Sequence, residues 1–250
     1  MNQRNLRQNV LVTGATGGIG SAIVRKFYEE GCNVAIHYAH SKDRAELLAE
    51  TLSENGGGTV RVFGADFTDP YSIQDMFAEI REDFGDVDIL VNNAGIGSFG
   101  LITDVTYEDW RTMFAVNVDA AFLCIREVLP YMIRQNYGKI VNVSSIWGIT
   151  GASCEVDYSA AKAAIIGLTK ALAKEVGPSG VNVNCVAPGV IDTEMNARLS
   201  PEDMLDLVDD TPLGRLGLPQ DVAEAVFFLC GEGASFITGQ VLSPNGGFVI

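Results

Sequence analysis

The feature of this sequence that most restricts its fold is a regular alternation of short β-branched runs with helix-length amphipathic segments. Seven runs have the composition of strands: NVLVT, NVAIHY, TVRVFG, DILVN, KIVNV, VNVNCV and QVLSP. The segments between them repeat apolar residues every three to four positions, as surface helices do. Because the runs are almost continuously apolar, we expect helices on both faces of the strands. The sequence therefore predicts an α/β fold with a doubly wound parallel sheet of about seven strands.

The pattern continues along the chain without a Pro/Ser-rich linker, a repeat or a low-complexity tract. The 250 residues are therefore predicted to form one domain, 1–250, which is long enough to bury a core without disulfides or metals. One connection is unusually long, beginning at Pro188-Gly189 and staying polar and acidic to about Asp210. Its length predicts a mobile substrate lid over residues 189–210, with a short helix of its own.

Charge and composition argue against several classes of partner. The formal net charge of −15 opposes binding to nucleic acid or to anionic membrane surfaces. We find no run close to the roughly 18 apolar residues of a membrane span and no signal peptide at the start, so a cytoplasmic location is expected. Five cysteines without a CxxC pair and two histidines predict reduced thiols and no metal site.

A glycine-rich turn, TGATGGIG, follows the first strand and opens a helix that is predicted to run to about Glu30. Glycines let the backbone approach a pyrophosphate, which then lies at the positive end of the helix dipole. A turn of this kind can also be a simple connection, but the strand before it and the helix after it favour dinucleotide binding. The predicted cofactor contacts in this turn are Gly14, Thr16, Gly17, Gly18, Ile19 and Gly20.

Two asparagine-containing segments follow. NNAG, residues 92–95, ends the fourth strand, where a doubly wound sheet changes direction and ligands bind at the carboxyl ends of strands. Taken alone, it could be a turn stabilised by side-chain hydrogen bonds. Asn117 lies inside the apolar, helix-length segment FAVNVDA, where it could simply satisfy a local backbone kink.

A serine, a tyrosine and a lysine give the strongest signal. Ser144-Ser145 ends the fifth strand, and Tyr158 and Lys162 follow on a predicted helix. Residues four apart share one helix face, so the Lys162 ammonium can lie near the Tyr158 phenol. A nearby positive charge favours the phenolate and lowers the pKa of a tyrosine from about 10 towards working pH. Such a tyrosine can act as a general acid or base, although an isolated YxxxK pair more often marks a solvated helix face.

In their order along the chain, TGxxxGIG, NNAG, a serine 13 residues before the tyrosine, and YxxxK resemble the short-chain dehydrogenase/reductase family. The resemblance covers essentially all 250 residues and continues through PGVIDT, PLGRLGLPQDVA and ITGQVLSPNGG. It implies a single-domain Rossmann fold and hydride transfer between a nicotinamide cofactor and a carbonyl or alcohol.

The resemblance also implies a role for each of four catalytic residues. Ser145 would orient and polarise the substrate oxygen, and Tyr158 would donate or accept its proton. Lys162 would bind the nicotinamide ribose and assist Tyr158, while Asn117 would hold a water that relays protons to Lys162. The 13-residue offset from Tyr158 selects Ser145 rather than Ser144.

Further cofactor contacts implied by the resemblance are Asn93, Ala94, Gly95, Tyr158, Lys162, Val190, Ile191 and Thr193, the last three at the nicotinamide amide. Asp66, after the third strand, matches a family aspartate that contacts adenine. Its alternative role is to cap the following turn.

The end of the second strand bears on the choice of cofactor. NAD-preferring Rossmann proteins usually carry Asp or Glu there, and this chain has Tyr38. No carboxylate at that position would repel a 2′-phosphate, and His40, Ser41 and Lys42 could hold one. NADP(H) is therefore predicted. NAD(H) stays possible, because Gly17 stands where many NADP-using relatives carry a basic residue.

The substrate pocket is predicted beside the four catalytic residues. Besides Ser145 and Tyr158, its candidates are Ile96, Gly97, Phe99, Trp147, Cys154, Glu155 and Met195. The apolar members could equally be ordinary core residues. Glu155 is the exception, because a carboxylate facing the pocket would favour a cationic or hydrogen-bond-donating substrate and resist an acidic one.

Within the family, PGVIDTEM, PLGRLGLP and the terminal NGG look most like 3-oxoacyl-acyl-carrier-protein reductases of fatty acid biosynthesis. That likeness implies reduction of a carrier-bound or small-molecule 3-oxoacyl thioester to its 3-hydroxyacyl form. Such reductases dock an acidic carrier on basic residues, often at the end of the catalytic helix, where this chain has Ser179. The net charge opposes that docking, apart from any patch formed by Arg126, Arg134 and Lys139.

Other functions stay open. The run SSIWGITGASCEVDYSAAK also resembles reductases of a 5-aminopentanone group attached to elongation factor P, and an amine would suit Glu155. Reduction of another small ketone, sugar or steroid is a third possibility. A non-enzymatic NADP-binding regulatory protein is a fourth, although such proteins typically lose part of the catalytic set. The family resemblance further implies a homotetramer that packs through segments 107–136 and 157–177 and the C-terminal strand.

Overall fold

The centre of the molecule is a seven-stranded parallel sheet in the order β3-β2-β1-β4-β5-β6-β7. The structure is a computed structural model that describes residues 7–54, 56–194 and 200–250. The strands are β1 (Asn9–Val12), β2 (Asn33–Tyr38), β3 (Val60–Gly64), β4 (Ile89–Asn92), β5 (Gly138–Val143), β6 (Val181–Val186) and β7 (Val241–Leu242). The predicted Rossmann fold with seven parallel strands is confirmed.

Helices connect the strands and cover the sheet. They are α1 (Gly18–Glu29), α2 (Lys42–Glu54), α3 (Pro70–Asp83), α4 (Tyr107–Phe114), α5 (Ala120–Arg134), α6 (Trp147–Thr150), α7 (Val156–Val176), α8 (Pro201–Asp209) and α9 (Pro219–Cys230). A π-helical segment, Ala115–Asp119, joins α4 to α5. None of the helices in the described part of the chain combines the length and apolar character needed to cross a membrane.

Strand alternation divides the core into two layers. In β1, Val10 and Val12 pack with α1, α2 and α9 on one face of the sheet, through residues such as Phe27. Leu11 points to the opposite face and packs with α3, α5 and α7, through residues such as Ile125. These three apolar side chains of β1 are fully buried, as the apolar runs predict for strands covered on both faces.

The position of β1 sets where a ligand can bind. β1 pairs with β2 on one side and with β4 on the other, so the strand order reverses between β1 and β4. The loops after these two strands leave the sheet in opposite directions and open a crevice at its carboxyl edge. The glycine turn follows β1 and NNAG follows β4, so both predicted motifs lie at this crevice.

The connection predicted as a lid contains the expected short helix, α8. Ser200 caps that helix, because its side chain accepts from the backbone N–H of Asp203 and the Asp203 carboxylate accepts from the N–H of Ser200. Residues 195–199, including the pocket candidate Met195, lie outside the described residues. The mobility of the lid remains a prediction.

Candidate active site

A cavity of about 610 Å³ opens at the carboxyl ends of β1, β4, β5 and β6. The predicted site residues that line it are Gly14, Thr16, Gly17, Gly18, Ile19, Gly20, Asn93, Ala94, Gly95, Ile96, Gly97, Ser145, Trp147, Glu155, Tyr158, Lys162, Val190, Ile191 and Thr193. Among the described residues, the predicted sites that do not line it are Tyr38, His40, Ser41, Lys42, Asp66, Phe99, Asn117 and Cys154. The cavity thus joins the glycine turn to the Ser–Tyr–Lys set.

The glycine turn leaves no room for side chains where the backbone faces the cavity. Gly14 has φ +60°, which costs other residues about 1–2 kcal/mol, and a Cβ there would lie 2.7 Å from the Cα of Ala94. A Cβ on Gly20 would lie 2.3 Å from the Gly14 carbonyl oxygen. The N-cap residue of α1, Gly17, offers no side chain to the free N–H groups of the first turn. These N–H groups and this close approach fit the pyrophosphate of a nicotinamide dinucleotide.

Thr13 ties the glycine turn to the NNAG segment. Its Oγ1 atom accepts hydrogen bonds from the backbone N–H groups of Asn93 and Ala94, both at 3.0 Å. The Asn93 side chain donates in return to the carbonyls of Thr13 at 2.9 Å and Gly14 at 3.1 Å. Thr13 therefore fixes the two loops at the crevice relative to each other, a role that the sequence analysis did not assign to it.

His37 holds the same turn from β2. Its Nδ1 atom accepts from the backbone N–H of Gly14 at 3.0 Å, and its Nε2 atom lies 3.1 Å from the carbonyl oxygen of Ala65. The ring stacks on Phe67 at 4.0 Å between ring centres. Burial lowers the pKa of His37 to about 4, so the ring is neutral at pH 7 and can accept at Nδ1. Sequence reasoning considered His37 only as a metal ligand and missed this role.

Tyr158 and Lys162 lie one turn apart on α7 and are both buried. The Lys162 Nζ atom lies 5.6 Å from the centre of the Tyr158 ring and donates to the carbonyl oxygen of Val143 at 3.1 Å. Ser145, at the end of β5, forms a side-chain hydrogen bond with Tyr158. Its neighbour Ser144 turns away and donates to the carbonyl oxygen of Lys162 at 2.7 Å. Of the two serines, Ser145 is therefore the one whose side chain contacts Tyr158.

The pKa of Tyr158 runs against the sequence-based expectation. We expected the ammonium of Lys162 to lower it, whereas burial raises the pKa of Tyr158 to about 12. The hydrogen bond from Ser145 opposes that rise, and the negative charge of Glu155 adds to it. Burial also lowers the pKa of Lys162 to about 8. The expectation was wrong because it counted the charge of Lys162 and left out the loss of hydration of both groups.

Asn117 lies behind these two residues, in the π-helical segment between α4 and α5. Its Nδ2 atom donates to the carbonyl oxygens of Ile96 and Met113, each at 3.0 Å. Its Oδ1 atom is buried and has no hydrogen-bond partner among the described residues. A Cβ on Gly95 would lie 2.6 Å from that Oδ1 and 3.0 Å from the Nζ of Lys162. A buried acceptor beside the lysine fits the predicted water-mediated proton relay.

The residues predicted near the adenosine end lie apart from the cavity lining. Tyr38 is half-buried, with its hydroxyl 2.9 Å from the position of a Cβ on Gly64, and His40 is exposed. Asp66 caps a turn by accepting from the N–H and hydroxyl of Thr68, and these hydrogen bonds lower the pKa of Asp66. The alternative role foreseen for Asp66, turn capping, is therefore present.

Arg44 is a basic residue that sequence reasoning missed. It lies near the start of α2, and its Nη1 atom lies 3.0 Å from the Glu194 carboxylate, a residue that lines the cavity. Its side chain is 61% exposed, which leaves it accessible from solvent. Lys42, the first residue of α2, and Ser41 lie within three residues of it in the chain.

Trp147 and Glu155, two residues predicted for the substrate pocket, both line the cavity. Trp147 begins α6, and its ring makes an edge contact with Phe248 at 5.9 Å. Glu155 occupies the N-cap position of α7, is half-buried and lines the cavity.

Lys139 was expected to be part of a basic surface patch. This expectation is wrong, because the Lys139 side chain is 5% exposed and its ammonium donates to Asn182 Oδ1 at 2.7 Å.

Comparisons with known proteins find similar oxidoreductases along nearly the whole chain. A family model described as enoyl-(acyl carrier protein) reductase matches residues 14–249. An uncharacterized oxidoreductase of Bacillus subtilis is 43% identical over 243 residues, 97% of this chain and 99% of that protein. A 3-oxoacyl-[acyl-carrier-protein] reductase of Aquifex aeolicus is 44% identical over 237 residues, 95% of each chain. The crystal structure of a 3-oxoacyl-[acyl-carrier protein] reductase from Brucella melitensis has a TM-score of 0.91 and 36% identity, covering 97% of this chain and 92% of that one.

Proposed function

Because the chain belongs to the short-chain dehydrogenase/reductase family, we propose that it is an NADP(H)-dependent carbonyl reductase in which Tyr158 protonates the substrate oxygen. Membership of this family makes it an oxidoreductase that acts on carbonyl and hydroxyl groups through a nicotinamide cofactor. The observation that carries the proposal is that Ser145, Tyr158 and Lys162 line the same cavity as the glycine turn after β1.

Tyr158 holds the proton that reduction requires. Its raised pKa of about 12 keeps the phenol protonated at pH 7, and the Ser145 hydroxyl beside it can orient the same carbonyl oxygen. The nicotinamide cofactor, when bound, supplies the hydride. As negative charge develops on the substrate oxygen, Tyr158 donates its proton and becomes the phenolate.

Lys162 and Asn117 act after Tyr158 has given up its proton. Lys162 is cationic below its pKa of about 8 and stabilises the phenolate that proton donation leaves behind. The free Oδ1 acceptor of Asn117 lies beside the space next to Gly95 and Lys162, where a water can connect them. We propose that this water and Lys162 return a proton to Tyr158 after each turnover.

The preference for NADP(H) rests on the end of β2 and the start of α2. Tyr38 stands where a carboxylate would select NAD(H), and Ser41, Lys42 and Arg44 can bind a 2′-phosphate. The other cofactor contacts follow the cavity lining. Backbone N–H groups of the glycine turn would hold the pyrophosphate, and Val190, Ile191 and Thr193 would meet the nicotinamide amide.

A 3-oxoacyl thioester is the first substrate class that we propose. Its support comes from relatives such as the Aquifex aeolicus protein, which is named as a 3-oxoacyl-[acyl-carrier-protein] reductase. Reduction would give the 3-hydroxyacyl thioester, as in fatty acid biosynthesis. Whether a carrier protein presents it is a separate question, because Lys139 is buried and the chain carries a net charge of −15.

An amine-bearing ketone is the second class, and one observation favours it. The Glu155 carboxylate lines the cavity close enough to Tyr158 for its charge to raise the pKa of the phenol. A cationic group on the substrate would pair with Glu155 and offset that charge. A 5-aminopentanone group attached to elongation factor P belongs to this class.

An isosteric pair of ketones separates the two classes. NADPH oxidation is followed by absorbance with an acetoacetyl thioester, with 5-(dimethylamino)pentan-2-one and with the uncharged isostere 6-methylheptan-2-one. Turnover mainly of the thioester supports the first class. Preference for the amine over its isostere, abolished by Glu155→Gln, supports the second. NADPH binding without turnover of any ketone would overturn the proposed function and favour a regulatory protein.

Assembly is also a proposal. The family resemblance favours a homotetramer, and α4, α5 and α7 carry exposed apolar side chains that an interface could cover, among them Tyr107, Phe122, Ile133 and Val156. Sedimentation velocity tests it: a single species of four chains is expected, and a monomer would contradict it. A cytoplasmic location stays a prediction of the sequence analysis.

A further inference from the structure

The residue that precedes Tyr158 is a buried carboxylate. Asp157 is 1% exposed, although it lies in the first turn of α7. Its two oxygens accept from the Ser98 hydroxyl at 2.7 and 2.8 Å, and one of them also accepts from the backbone N–H of Tyr158 at 2.9 Å. A buried charge is expensive without such partners, so Ser98 and the start of α7 are held tightly together.

Ser98 belongs to the loop that follows β4, residues 93–100, which we call the mouth loop. Two of its residues, Ile96 and Gly97, line the cavity. Asn93 and Ala94 at its start are bonded to Thr13, and the contacts that hold its outer part include the Ser98–Asp157 pair. Besides the Ser98–Asp157 pair, Gly100 donates its backbone N–H to the carbonyl of Cys154 at 2.8 Å, and the Ile96 carbonyl accepts from the side chain of Asn117.

The contact at Asp157 differs from the contacts of Gly100 and Ile96 in the part of the site that it reaches. It joins the mouth loop directly to the residue before the tyrosine, through a side chain that also accepts from the Tyr158 N–H. A shift of the loop would therefore move either the cavity wall or the Tyr158 backbone. Helix stabilisation alone needs only a carboxylate near the N-terminus, in solvent, and not a buried one that reaches Ser98.

We propose that the Ser98–Asp157 hydrogen bond is a positioning contact that holds the mouth loop against the start of α7 and so sets the width of the substrate entrance. This inference rests on the proposed carbonyl reductase function. Neither residue lines the cavity, so both act through the mouth loop, whose residues Ile96 and Gly97 do line it. The pair thereby contributes to specificity for the part of the substrate that lies between the carbonyl and the entrance.

Two ketone probes of different length test the proposal. The probes are the 3-oxobutanoyl and 3-oxooctanoyl thioesters of N-acetylcysteamine, and the variant is Ser98→Ala, which removes one hydroxyl. We expect KM for the longer thioester to rise about fivefold, with KM for the shorter one and kcat for both within about twofold. The dissociation constant of NADPH, measured by nicotinamide fluorescence, should stay within about twofold. Equal changes for both probes, or none, would refute the positioning role.

Variants at Asp157 show whether the hydrogen-bond acceptor or the negative charge of this residue matters. Asp157→Asn keeps an oxygen that can accept from Ser98 and from the Tyr158 N–H, so its KM values should remain near those of the wild type. Asp157→Ala should reproduce the effect of Ser98→Ala, and the double variant should add little to either. Additive effects on KM would show that the two residues act independently. Ser53→Ala removes an exposed hydroxyl on α2 that bonds the Ala49 carbonyl and is the matched control.

Hydrogen–deuterium exchange keeps the proposal testable if no ketone is turned over. In that case the proposed function fails, while the contact can still be measured. Ser98→Ala should speed exchange of the backbone amides of residues 96–100 and leave those of α1 unchanged. Unchanged exchange in the mouth loop would overturn the proposal, whether or not the wild-type protein is active.

Discussion

The backbone N–H of Gly14 points at the Nδ1 atom of His37, 3.0 Å away on the neighbouring strand. Gly14 has φ +60°, and this hydrogen bond holds the turn open towards the cavity. Because Ala65 engages the other ring nitrogen and Phe67 stacks on the ring, His37 has little freedom to move. The conformation of the turn that would hold a pyrophosphate thus depends on His37, a residue of the neighbouring strand.

Replacement of His37 should therefore weaken cofactor binding and leave the rate of the chemical step largely unchanged. His37→Leu removes the acceptor for the Gly14 N–H and leaves this partly buried donor without a partner, at a cost of up to about 1–3 kcal/mol. We expect the dissociation constant of NADPH to rise about tenfold, with kcat at saturating cofactor nearly unchanged. Titration followed by nicotinamide fluorescence measures the dissociation constant. His37→Asn, which keeps an acceptor, is the control, and equal affinity in all three proteins would contradict this role.

Gly95 should tolerate no side chain. A Cβ there would lie 2.6 Å from Asn117 Oδ1 and 3.0 Å from Lys162 Nζ, so Gly95→Ala would fill the space proposed for the relay water. We expect kcat to fall about 100-fold, within the range of lost acid–base assistance. Gly233→Ala in the short 3-10 turn Glu232–Ala234 is the matched control, because Gly233 is exposed and a Cβ there meets no neighbouring group within 4 Å. That control should keep full activity, and a fully active Gly95→Ala enzyme would rule out the relay.

The pH dependence of reduction follows from the two buried groups. Tyr158, with a pKa of about 12, keeps its proton throughout the accessible range, so it does not limit the rate there. Lys162, with a pKa of about 8, is cationic below that pH and loses its charge above it. Ketone reduction should thus be constant from about pH 6 to 7 and should fall above about pH 8. Steady-state kcat/KM with NADPH measures this, and a rate that rises through pH 8 would contradict it.

Sequence alone predicted the features of this molecule that depend on residues close together in the chain. Strand runs and helix periodicity specified seven parallel strands, and strand ends placed TGxxxGIG and NNAG at one crevice. The spacing of Tyr158 and Lys162 placed them on one helix face, because that distance is set by helix geometry.

The rest depends on contacts between distant parts of the chain and on burial. Asp157 meets Ser98 across 59 residues, and Gly14 meets His37 across 23, so neither pair leaves a local pattern. Lys139 looked like a surface charge because the sequence does not show that its ammonium meets the Asn182 side chain on the neighbouring strand β6. The direction of the Tyr158 pKa was missed for the same reason, since desolvation follows from packing.

The most direct test of the central claim compares the wild type with Tyr158→Phe, a change that removes only the phenol hydroxyl. NADPH oxidation is followed by absorbance with whichever ketone probe the wild type reduces best, and NADPH binding is measured in parallel by fluorescence. If Tyr158 is the proton donor, the variant should bind NADPH within about twofold of the wild type and lose about 1000-fold or more in kcat. An active wild type with an equally active Tyr158→Phe variant would contradict the mechanism.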